Sequence, residues 1–184
     1  MAEHDTTARE ISPVVSRTIH AINAISDWSG RLIAWLVIPL MLVLVYEVIS
    51  RYVFDKPTLW AFDFTYMLYG AHFMLVAAFT LYKQGHIRTD FLYRLWTPRW
   101  QGIVDASLYL LLFLPAVGFF FWFSLEFAYT SWLQRETSFL SPWQPPIYPL
   151  KIALPVSALL LFMQGIAELM RSLCAAKYGK WHDF

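Results

Sequence analysis

Five charged residues, Glu47, Arg51, Asp63, Glu126 and Lys151, stand in or beside long apolar stretches. A charge there is costly unless it faces protein or water, so each one is informative. Glu47 and Arg51 are four apart, which places them on one face of a helix as an ion pair. Such a set supports two chemistries. One is an ion or substrate pathway, which needs polar groups through the middle of the stretches. The other is a polar cluster that holds helix ends in register. The middles are almost purely apolar, interrupted by His72 and scattered Ser and Thr, so the structural reading is preferred. A haem held by two histidines needs a second intramembrane His at matching depth, and His20 and His86 fall at the edges. His72 is therefore expected to be packed or to face another subunit. The chain carries no Walker motif, no GxSxG and no paired catalytic constellation, so no enzymatic role is expected.

These residues must be positioned by helices. Four apolar stretches, about 31–50, 60–82, 102–129 and 150–170, approach or exceed the ~20 residues needed to cross a hydrocarbon core. Backbone polar groups in lipid must pair within the segment, which makes the stretches helices. Hydrophobic residues form 58% of the chain and charged residues 15%, against about 25% charged in typical soluble domains. The fold class expected is an all-α membrane protein of four transmembrane helices in one domain, 30–171. An amphipathic interfacial helix over 11–29 precedes it, flanked by a mobile segment 1–10 and a cytoplasmic tail 172–184. Aromatic residues such as Trp28, Trp60, Tyr82, Trp132 and Tyr148 sit near the span ends, at headgroup level. A net charge of +1 implies no nucleic-acid partner, and the single Cys174 rules out an internal disulfide. The first 27 residues contain no unbroken apolar core and are not expected to be a signal peptide.

With the N-terminus inside, ten Lys and Arg residues fall on the cytoplasmic side and four on the other, which predicts that both termini are cytoplasmic. Ser12 and Pro13 form a helix start. Ile11, Val14, Val15, Thr18, Ile19, Ile22 and Ile25 recur at near-helical spacing, with Ser16, Arg17, His20, Asn23 and Asp27 elsewhere. This predicts an interfacial helix that either anchors in lipid or touches a partner. Pro39, Pro115 and Pro155 lie within spans. Gly85 is read as a helix stop of positive φ, and Thr97-Pro98 as a second helix start. The outer loop from Thr130 to Pro149 carries four prolines and is expected to be extended.

Two segments carry a family resemblance. Glu47-Val48-Ile49-Ser50-Arg51-Tyr52-Val53-Phe54, followed by Pro57 and Trp60, resembles the small membrane subunit of tripartite ATP-independent periplasmic (TRAP) transporters, the DctQ-like family. Gly85-His86-Ile87-Arg88-Thr89-Asp90 is similar to its second signature. The likeness runs from about Ile22 to Arg171. One departure is Phe62-Asp63, where the family often has two acids, so Asp63 alone remains for any contact that the pair serves. Leu154-Pro155-Val156 and the segment Gln164 to Leu169 resemble the branch associated with 2-oxo acids, lactate and related organic acids.

The resemblance implies a scaffold subunit in the bacterial inner membrane. It would support a large multi-span subunit that moves an organic anion by a sodium-driven elevator motion, the anion being delivered by a periplasmic binding protein. No cofactor is expected on this chain, sodium coupling belonging to the large subunit; phospholipid is an expected partner. Structural or subunit-interface roles are expected for Glu47, Arg51, Tyr52, Trp60, Asp63, Gly85, His86, Arg88, Asp90, Glu126 and Lys151. The rival reading is a membrane anchor of a redox enzyme complex, with or without haem.

Overall fold

The computed structural model describes residues 12–85, 93 and 96–181. The segment 1–10, and His86, Arg88 and Asp90 of the inner loop, lie outside the described residues.

Among the described residues the elements are α1 (Pro13–Ala34), α2 (Val37–Tyr52), α3 (Ala61–Leu75), α4 (Ala77–Tyr82), α5 (Pro98–Leu108), a π-helical turn (Tyr109–Phe113), α6 (Leu114–Gln134) and α7 (Tyr148–Tyr178). They make four helical stretches long and apolar enough to cross a membrane: Pro13–Tyr52, Ala61–Tyr82, Pro98–Gln134 and Tyr148–Tyr178. The chain is an all-α membrane protein with four spans.

Two prolines shape the stretches. Pro39 has no N–H, and its ring crowds the carbonyl four residues back, at Trp35. The helix breaks there: Trp35, Leu36 and Ile38 donate to carbonyls three residues back, on Leu32, Ile33 and Trp35. Pro115 follows the π-helical turn, where the Leu114 amide reaches back to the Tyr109 carbonyl. The wider turn shifts the register just where the proline withholds its donor.

The core is built around α7. Of its most apolar window 44% is buried, against 11% in each of the other three spans. It packs against α6, α5, α3, α1 and α4. Small residues permit this. A Cβ on Gly102 of α5 would lie 2.5 Å from the Ala176 amide nitrogen and 2.6 Å from the Ser172 carbonyl oxygen of α7. Backbones approach closely at such positions, as is usual between membrane helices. By contrast α2 packs mainly on α3 and buries only Leu40.

Helix ends use left-handed residues. The stop after α4 places positive φ on Gln84 (53°), not on Gly85 as the sequence suggested. Gln84 donates to the Leu81 carbonyl and Gly85 to that of Thr80, the paired bonds of a Schellman motif. Gly85 is then the third residue past Tyr82, the last of α4. A Cβ there would meet Thr80 Cγ2 at 3.2 Å. Arg135 (φ 48°) ends α6 in the same way, and Gly179 (φ 69°) ends α7.

Candidate functional site

The five charged residues do not make one cluster. In its place the structure has separate polar clamps, each tying a helix end to a loop or a neighbour. Glu47, near the end of α2, pairs with Arg51 one turn on and accepts from the Thr58 amide at 3.1 Å and the Thr58 hydroxyl. The clamp closes the α2–α3 connection upon α2. The Arg51 side chain is half exposed, so solvent screens the ion pair and it contributes little by itself. Trp60 stacks on Tyr46 across the same turn, and Tyr52 is exposed.

Asp63 takes other partners. It lies in the first turn of α3, where a carboxylate suits the helix dipole, and it is fully buried. Its Oδ1 accepts from the Ser138 hydroxyl at 2.7 Å and its Oδ2 from that of Ser141. Both serines belong to the loop between α6 and α7. That loop is more ordered than its four prolines suggest. Thr137 and Pro146 form an isolated β-bridge, the Ser138 amide donates to the Pro145 carbonyl, and the Ile147 amide donates to that of Glu136.

Lys151 is buried at the start of α7 and pairs with Glu136. Its ammonium also lies 3.9 Å from the Phe127 ring centroid, a cation–π contact. The Lys151 ammonium beside Glu136 holds that carboxyl below the usual carboxylate range. Glu126 is exposed on α6 and joins none of these clamps. Nothing in the sequence marked Thr58, Glu136, Ser138 or Ser141 as partners, because each arrives from a loop whose path depends on packing.

A further cluster lies at the opposite end of the bundle. Gln164 of α7 is fully buried and reads two residues of α1. Ser26 donates to its Oε1 at 2.7 Å, and its Nε2 donates to Asn23 Oδ1 at 3.3 Å and to Glu168 Oε1 at 3.2 Å. Arg171 pairs with the same Glu168 oxygen at 2.8 Å. The sequence spacing puts Asn23 off the apolar face of the N-terminal helix. The structure buries it, in the stripe Ile19, Ile22, Asn23, Ser26, Gly30 and Ile33, while Val14 and Ile25 are exposed. The cause is Gln164, which donates to the Asn23 Oδ1 and accepts from Ser26, so the face carrying both residues docks on α7.

His72 finds its partner at the Pro39 break. Its Nδ1 lies 3.1 Å from the Ile33 carbonyl oxygen, so Nδ1 donates. The last turn of α1 does not continue into α2, and this imidazole ties the Ile33 carbonyl, which also accepts from the Leu36 amide, to α3. The arrangement across all these groups orients helices; it assembles no reaction centre among the described residues.

No curated protein matches the chain. A family model does, that of the DctQ component of tripartite ATP-independent periplasmic transporters, over residues 40–175. The matched range holds α2 from Leu40, the Glu47, Asp63 and Lys151 clamps, and nearly all of α7. With four membrane-spanning stretches and most of its length inside that match, the chain belongs to the DctQ family, the small membrane components of TRAP transporters.

Proposed function

We propose that this chain is the scaffold subunit of a sodium-coupled importer of an organic acid anion. The anion is delivered by a periplasmic binding protein, and the chain braces a large elevator-type subunit that carries the sodium and substrate sites. The observation that supports this most is α2. From Val37 to Val45 it is apolar on every side, yet its own chain buries only Leu40 along the sixteen residues of the helix. A helix hydrophobic all round is normally covered by protein or lipid. Wide uncovered spans around one buried helix suit a frame more than a conduit, and the charged groups close upon one another at the ends.

Both termini are assigned to the cytoplasm on the Lys and Arg bias. The Asp63 and Lys151 clamps then face the periplasm. Gln164 stands sixteen residues past Tyr148, about 24 Å along α7. That is near the far edge of a core about 30 Å thick, which supports an inner-interface position for α1.

Reconstitution tests the reading. The chain should co-purify with a much larger multi-span subunit, and uptake in liposomes should need that subunit, the binding protein and a sodium gradient. Sodium-driven uptake by this chain alone would overturn the scaffold role.

A further inference from the structure

The loop between α6 and α7 carries an apolar tip at a fixed depth. Phe139 is 85% exposed, Leu140 55% and Trp143 48%. From Ser138 to Pro145 the segment contains no charged residue. We infer that this tip is a membrane anchor, seated in the boundary between lipid headgroups and acyl chains.

Depth decides it. Asp63 is two residues past the start of α3 at Ala61, so it lies only ~3 Å inside the span. Ser138 and Ser141 both bond its carboxylate. Phe139 and Leu140 are the two residues between them, and each backbone stands about 3.8 Å from a pinned serine. An unpinned hairpin arm of six residues would reach ~20 Å from the bundle. This one is folded flat over the end of α3 instead. The headgroup zone is about 5–8 Å deep on each side of the core, which keeps the tip inside it. The Leu140 and Trp143 amides donate to the Ser138 and Ser141 hydroxyls at 3.2 Å, so these serines also hold the turn that projects the side chains. An uncharged tip with one indole and two purely apolar side chains matches the interface, where Trp is favoured. It offers no ion-pairing group to a charged protein surface.

The test uses a nitroxide on Phe139→Cys with Cys174→Ala, in the assembled transporter with cysteine-free partner subunits. The complex is placed in nanodiscs of phosphatidylethanolamine and phosphatidylglycerol. Power saturation compares relaxation by oxygen, which enters lipid, with relaxation by a water-soluble nickel chelate. Oxygen should dominate at position 139. Asp63→Ala, by releasing both serines, should shift the same label towards the nickel chelate. A parent label relaxed mainly by nickel would place the tip in water. A label shielded from both agents would make it a protein contact. Either result overturns the anchor, and the parent measurement stands even if the Asp63 variant fails to fold.

Discussion

Replacing Gln164 by Leu separates the docking of α1 from the integrity of the rest of the bundle. The substitution keeps the volume roughly constant and removes one amide that serves Ser26, Asn23 and Glu168. The three partners are not equally hurt. Glu168 keeps Arg171. Ser26 can rotate to a carbonyl of its own helix, as serine in a helix often does. Asn23 Oδ1 has no such alternative, and its Nδ2 already lacks a partner among the described residues. A buried polar group left unsatisfied costs about 1–3 kcal/mol. Interhelical hydrogen bonds in membranes average ~0.6 kcal/mol, because the separated helices find other partners. The expected loss is therefore about 1–3 kcal/mol, most of it through Asn23. Since α1 meets α7 at this cluster, the loss should appear as release of α1. Trypsin should cut faster at Arg17 or Arg31 in the purified complex, and the melting temperature should fall. Adding Asn23→Leu should restore part of the stability, because removing both partners leaves nothing unsatisfied. Equal protection of α1 in parent and Gln164→Leu would refute the argument, as would a double variant no better than the single one.

Other outcomes follow from the same geometry. Gln84→Gly should raise thermal stability by about 1 kcal/mol, because glycine adopts the left-handed conformation that glutamine resists; an unchanged melt would show that the φ of 53° is not maintained. Gly102→Val should lower the yield of folded protein, at a cost of roughly 1–3 kcal/mol or more. The atoms it meets are the α7 backbone, which cannot step aside as a side chain would. Glu136 has its carboxyl held down by Lys151, so its contribution to stability is full above the usual carboxylate pKa of 4.5 and is lost as pH falls through the lower folded value. Melting of the complex should thus be insensitive to this group from pH 7 to 6 and decline in acid, and Glu136→Gln should remove that part of the decline.

Much of this protein was legible before any packing was known. Four helices follow from apolar runs that water cannot accept and lipid can, with backbone groups that must pair locally. The Glu47–Arg51 pair was legible because both partners belong to one helix, where spacing alone dictates the contact. The break before Pro39 has an equally local cause, since a missing N–H acts on carbonyls within one turn.

What depended on tertiary structure involves partners far apart in sequence. Asp63 was marked as a candidate, but its bonds reach Ser138 and Ser141, some 75 residues on. Lys151 chose Glu136 in place of any acid inside a span. Asn23 looked like a solvent-facing residue because a helix pattern counts an amide as polar. It is buried because Gln164 stands opposite, on a helix 141 residues away. The left-handed stop fell on Gln84 and not on the adjacent glycine. Local propensity favours glycine by only about 1 kcal/mol, which the pair of capping bonds and the surrounding fold can outweigh. Sequence dictates interactions within a turn of helix; the choice among distant polar partners is made when helices pack and each buried group must find a donor or an acceptor.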